Sequence, residues 1–208
     1  MSSRLRILQF FYSFDIEAGG GGLSKFAIEL GKALDPERFE VIFGSLGFTT
    51  SPLSDRHIQA LEALGYETFE ATQWDITRPY QSFLQAQSFV NRWFHEHPEK
   101  LVIHSHSEYT DISALILKIQ RRSMPILRTV HYGYKYEWRT KPLRRLVFTN
   151  LLYPLLYNQE IGINQFNTDR MNHRLLARLW RRQARCIYNA IPLEPFQSVD
   201  VDRSQKRA

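Results

Sequence analysis

The sequence predicts an α/β fold built on a doubly wound parallel sheet of about seven strands. Short apolar runs of roughly four to eight residues alternate with longer stretches whose apolar residues recur at helical spacing. Runs separated by helical stretches call for crossover connections, and crossovers make neighbouring strands parallel. The 208 residues, 43% hydrophobic and 23% charged, suit one well-packed globular domain.

Residues 4–11 read as a buried strand that ends at a glycine cluster. Leu23, Phe26, Ala27, Leu30 and Leu34 then follow helical spacing, and Asp35-Pro36 stops that helix. Residues 39–46 form the second strand, and a helix over about 54–64 ends at Gly65. The third strand is 67–70, and Phe83, Ala86, Val90, Trp93 and Phe94 mark the next helix. A strand at 101–104 runs into a turn, after which Ile112, Leu115, Ile116 and Ile119 share one helical face. Pro125 introduces a strand over 126–131, and residues 141–157 form an aromatic, basic helix interrupted near Pro154. A strand at 160–163, a helix over 168–179 and a strand over 185–188 complete the series. The residues from Gln197 to 208 form a polar tail without periodicity.

The charge is unevenly distributed. Residues 1–117 carry 9 Lys and Arg against 15 Asp and Glu, whereas 118–185 carry 15 against 3. A strongly basic block suits an anionic partner, whether phosphate, membrane surface or nucleic acid, or else a solvated cationic face. The single cysteine, Cys186, precludes an internal disulfide framework and fits a reducing compartment. The short apolar run after Met1-Ser2-Ser3 lacks a small-residue cleavage site, and no run approaches the roughly 20 apolar residues of a membrane span. The expected location is cytoplasmic.

In an open parallel sheet, ligands collect beyond the carboxyl ends of the strands. Three loops there carry unusual residues. Gly19, Gly20, Gly21 and Gly22 let backbone approach a ligand closely, and the helix that follows offers amide donors and a partial positive charge. An oxyanion or a sugar hydroxyl would suit this loop; a simple turn is the plainer reading. The spacing is not that of dinucleotide-binding loops. His104-Ser105-His106-Ser107-Glu108 places two imidazoles at i and i+2, on one side of extended backbone. A metal pair lacks a third ligand at a convincing spacing, so no metal is expected. His104 suits a buried, hydrogen-bonded role, His106 is expected further out against substrate, and Glu108 with Asp111 suits the first turn of the next helix. His131, in Thr129-Val130-His131-Tyr132-Gly133, falls at the same sheet edge.

Taken in order, the glycine loop, Val102-Ile103-His104-Ser105-His106-Ser107, Thr129 to Gly133, Ile161-Gly162-Ile163-Asn164 and Ile187 to Phe196 resemble glycosyltransferase family 4 over about residues 4–196. Ala190 stands where that family commonly has glycine, and Asn164 where serine is usual. The resemblance implies one Rossmann-like half of a GT-B architecture, spanning residues 1–196 and followed at 197–208 by the hinge. It implies transfer of a sugar, with retention, from a nucleotide-diphosphate sugar to an acceptor that is lipid-linked or a polysaccharide, with no cofactor. His106 is then the catalytic candidate, and Gly19, Gly20, Gly21, Gly22 and His131 contact donor or substrate. The nucleotide itself belongs to a second, C-terminal domain that this sequence does not contain, so the chain alone is expected to be inactive.

Lys135, Trp138, Arg139, Lys141, Arg144 and Arg145 combine cations, an aromatic ring and a neighbouring apolar stripe. This suits a membrane or acceptor surface, an apolar stripe turned to the core, or a contact with the second domain. A non-catalytic module that binds an anionic glycan or phosphate is the alternative to the enzyme. Nucleic acid is not expected, because the charge comes without a recognised motif.

Overall fold

The computed structural model describes residues 4–16, 21–47, 51–131, 143 and 145–189. Its elements run β1 (Leu5–Phe11), α1 (Gly21–Lys32), β2 (Phe39–Ser45), α2 (Pro52–Ala63), β3 (Glu67–Glu70), α3 (Pro79–Glu96), β4 (Leu101–Ser105), α4 (Glu108–Gln120) and β5 (Ile126–Val130). A π-helical segment (Arg145–Leu152) leads into α5 (Tyr153–Leu156), followed by β6 (Gln159–Gly162), α6 (Gln165–Asn172), α7 (Leu175–Leu179) and β7 (Arg185–Cys186).

All seven strands pair in parallel, in the order β3-β2-β1-β4-β5-β6-β7. The chain builds outward from β1 to β3, then returns to the other side of β1. That reversal lies between β1 and β4, where Gln9 is in register with His104 and Phe10 with Ser105. Loops leaving β1 and β4 diverge there and open a crevice at the carboxyl edge.

Strand alternation separates two cores. On one face Leu8, Phe10, Ile42, Ile103 and Ile126 pack with Val90 and Phe94 of α3 and with Ala114, Leu115 and Leu117 of α4. On the other, Phe11, Val41 and Phe43 meet Leu23, Ala27 and Ile28 of α1 and Leu61 of α2. Side chains such as Phe10, Phe43 and Ile103 are fully buried, each stabilising the fold by roughly 1.5–3 kcal/mol. Helix α2 ends as expected at Gly65, whose φ of +85° suits a residue without Cβ. There Gly65 N–H donates to Glu62 O and Tyr66 N–H to Leu61 O.

Beyond shifts of one or two residues at several element ends, four differences from the sequence reading stand out. The helix expected over 168–179 is two helices, because Arg174 leaves helical geometry and turns its guanidinium inward to Glu160 and to the carbonyls of Thr149 and Met171. The expected helix over 141–157 is π-helical from Arg145 to Leu152, then α-helical around Pro154, which has no N–H to donate to the preceding turn. The strand expected over 126–131 stops at Val130, leaving His131 in the loop. The last strand is Arg185–Cys186 rather than 185–188, although Ile187 N–H still donates to Gly162 O.

At the amino edge Arg6 reaches three carboxylates, Glu40 at 2.9 Å, Glu99 at 2.9 Å and Glu67 at 3.2 Å, tying three strands and the α3–β4 connection together. Among the described residues no helix is long and apolar enough to cross a membrane. Lys135, Trp138, Arg139, Lys141 and Arg144 lie outside the described residues, as do Gly19, Gly20 and the segment from Ala190 to 208.

Candidate functional site

The carboxyl edge of β1, β4 and β5 assembles the residues that carry chemistry. His106 N–H donates to Phe10 O one residue beyond β4, so the extended backbone continues and keeps His104 and His106 on one face. That is the α1 face, and Gln9 shares it. His104 Nε2 lies 2.8 Å from Thr129 Oγ1, and the two imidazole rings stand 4.2 Å apart. His106 Nε2 lies 2.8 Å from Gln9 Oε1 and its Nδ1 lies 3.5 Å from His131 Nε2. Phe26 of α1 closes the cluster from above, edge-on to His106 at 6.0 Å and to His131 at 5.1 Å.

These contacts fix tautomers. The Gln9 amide oxygen only accepts, so His106 Nε2–H donates to it and Nδ1 is left as an acceptor. His131 Nε2 faces that acceptor at 3.5 Å, and among the described residues His131 Nδ1 has no hydrogen-bond partner at this half-buried edge. Burial keeps the cluster uncharged. It pushes His104 down to about 3, with His131 adding to the effect, and His131 down to about 4. His106 falls well below the ordinary histidine value, through burial first and its two histidine neighbours second. Such rings exchange hydrogen bonds with hydroxyl groups; they do not neutralise a phosphate.

The order of exposure is the reverse of the sequence expectation. His106, expected further out, is 1% exposed, while His104 is 6% exposed and His131 is the outermost ring. The cause is Phe26 together with Gln9, which bury the second imidazole from both sides.

The glycine loop meets this cluster through α1. A Cβ on Gly21 would lie 1.6 Å from Ile16 O, so only glycine fits where the helix begins. Gly22 is exposed, and a Cβ there would meet nothing within 4 Å. In the first turn of α1, Gly22 is thus the exposed residue, four positions before Phe26, while Gly21, Leu23 and Ser24 are buried.

At the same edge but on the α3–α4 side lies a group of half-buried aromatic rings that the sequence reading missed. Tyr12, just past β1, stands 5.2 Å from Trp74, and Trp74 stands 5.0 Å from Tyr109 at the start of α4. Burial, and then Tyr109, push the Tyr12 hydroxyl up to about 12. Asn164 caps α6 at the carboxyl end of β6, accepting from Asn167 N–H at 2.8 Å.

Asp111 does not act locally in the first turn of α4, as the sequence suggested. It is buried under the opposite face, with Oδ2 3.1 Å from Arg128 Nη2, and Oδ1 accepts from Ser105 Oγ at 2.6 Å. Arg128 continues to Glu160 at 3.6 Å, and Arg174 forms a close ion pair with Glu160. The Arg128 guanidinium also lies 3.8 Å over the Tyr153 ring, and Tyr157 Oη sits 3.0 Å from Ser105 Oγ. Burial raises the Asp111 carboxyl to about 6, against the pull of Arg128 and Ser105. Two cations of the basic block are thus internal to the fold. Among the described residues no three His, Cys, Asp or Glu side chains form a group able to hold a metal ion.

A family model described as Glycosyltransferase Family 4 matches residues 20–194, and the chain belongs to that family. Among solved structures it is similar to HepE from Anabaena, determined in complex with UDP and glucose, with a TM-score of 0.62 and 16% sequence identity. The similarity covers 92% of this chain and 46% of that one, so the chain spans about half the length of its structural relative. No curated protein matches the sequence.

Proposed function

We propose that this chain forms the acceptor-side half of a retaining glycosyltransferase that moves a sugar from a nucleotide-diphosphate sugar to a carbohydrate acceptor. The observation that carries this reading is the uncharged His106–His131 pair at the carboxyl edge, beside Phe26 of α1. His131 Nδ1 accepts from a hydroxyl of the transferred sugar, and His106 and Gln9 hold that ring and its tautomer. Gly22 and the amino end of α1 approach the diphosphate. Tyr12, Trp74 and Tyr109 offer ring faces to the acceptor.

In the reaction the bond from the anomeric carbon to the phosphate oxygen breaks, the acceptor oxygen bonds to that carbon, and the acceptor proton passes to the departing diphosphate. The leaving group needs cationic stabilisation, which neutral histidines do not supply. A second Rossmann-like domain therefore provides the nucleotide grip and the cations, and the 208-residue chain alone is inactive. A lipid-linked or polysaccharide acceptor and a peripheral seat at a membrane belong to the same reading. The exposed Leu143 and Leu146 support that seat.

The test is a screen of UDP-, GDP- and ADP-sugars with a longer chain that carries a nucleotide-sugar domain, the product's anomeric configuration being read by NMR. The expected result is a retained configuration, loss of roughly 10²–10³ in kcat on His131→Ala, and no transfer by the 208 residues alone. An inverted product, or transfer by the isolated chain, overturns the proposal.

A further inference from the structure

The amino edge of β6 and β7, at the opposite end of the sheet from the histidines, holds a cavity of about 330 Å³, within the range of small-ligand sites. Arg181, Arg182 and Arg185 line it, with Gln159 and Gln183 between them. Glu160 is the acidic residue among these walls, and its carboxylate is already engaged by Arg174 and Arg128. The balance of the lining is cationic. Lys118, at the end of α4, lies outside the lining and donates to Met124 O, yet Arg182 is close enough to push its ammonium down in pKa after burial does.

The chain geometry singles out Arg181. Helices α2 and α7 end in the same hydrogen-bond pattern: Arg181 N–H donates to Arg178 O and Arg182 N–H to Ala177 O, as Gly65 and Tyr66 do after α2. That pattern needs a left-handed residue, for which glycine is suited. Gly65 fills the position after α2, but after α7 it is Arg181, at a φ of +53°. An L side chain is unfavourable there, and such outliers persist where the side chain has work to do.

We propose that this cavity is a phosphate-binding site, separate from the sugar site, in which Arg181, Arg182 and Arg185 converge on one phosphate or diphosphate group. Guanidinium forks match phosphate oxygens in pairs, and the two glutamine amides complete a polar lining. The phosphate belongs either to a small soluble ester or to a lipid headgroup.

Arg181→Gly tests this without risk to the fold, since glycine suits the turn and only the cation is lost. Pyrophosphate is titrated calorimetrically into the 208-residue chain at low salt, and sedimentation is followed with vesicles of phosphatidylglycerol and phosphatidylcholine. The wild type is expected to bind one or both. Arg181→Gly is expected to weaken that binding tenfold or more while melting no lower than wild type, and the exposed control Arg122→Gln is expected to bind as wild type. Loss of pyrophosphate binding alone assigns a soluble ester, and loss of vesicle binding assigns a headgroup. The proposal fails if Arg181→Gly equals wild type in both assays, if Arg122→Gln weakens binding as much, or if the wild type binds neither probe.

Discussion

Two polar clusters lie back to back on β4 and β5, and they are built from opposite chemistry. On the α1 face, His104, His106, His131, Gln9 and Thr129 form an uncharged chain that ends at the half-buried ring of His131. On the α4 face, Asp111, Arg128, Glu160 and Arg174 alternate in sign, each anion met by an arginine. Moving one residue along β4, from His104 to Ser105, crosses from one cluster to the other. A neutral cluster open at one end retains a hydrogen-bonding position for a ligand. A buried cluster of alternating charges instead ties side chains of separate elements together, and it holds the outer strands and helices to the sheet centre. The same strands thus carry a face proposed to bind substrate and a bracing face.

The comparison breaks first at Arg128. Arg128→Met leaves two buried carboxylates facing each other without the cation between them, and the expected loss is about 3–5 kcal/mol of stability by urea unfolding. A loss below about 1 kcal/mol, the scale of an exposed pair, would show that the alternating charges do not brace the sheet. On the other face, Gln9→Leu removes the acceptor of His106 Nε2–H and leaves a buried donor unpaired. The expected cost is smaller, about 1–3 kcal/mol. Equal losses from the two substitutions would erase the distinction between the faces.

The sequence displayed all seven strands because their apolar runs are compact and their helices carry the longer period. It also displayed the shared orientation of His104 and His106, which follows from strand geometry alone. The bracing face was hidden because a run of charges does not say which of them point inward. The available signal was position: Arg128 lies between Ile126 and Val130 in an apolar strand, and Gln9 sits mid-run in β1. The break before α7 left no glycine or proline to read, because Arg174 is pulled out of the helix by a distant partner, Glu160. The depth of His106 depends on Phe26, and no local pattern encodes that contact.

The neutrality of the histidine face has a thermodynamic consequence. The folded values of His104 and His131, about 3 and about 4, lie below the ordinary value of 6.5. Below about pH 6.5 the unfolded chain therefore takes up protons that the folded chain refuses, and stability falls on acidification. The loss is at most about 1.4 kcal/mol per pH unit for each ring. Asp111, raised to about 6, acts with the opposite sign between its two values and offsets one ring. The most direct measurement is a pH titration of the histidine side-chain nitrogens by NMR in the 208-residue chain. The expected result is that His104, His106 and His131 stay neutral down to pH 5, with His106 protonated at Nε2. Protonation of any of the three near pH 6.5, or a His106 proton on Nδ1, would contradict the neutral hydrogen-bonding face on which the proposed sugar site rests.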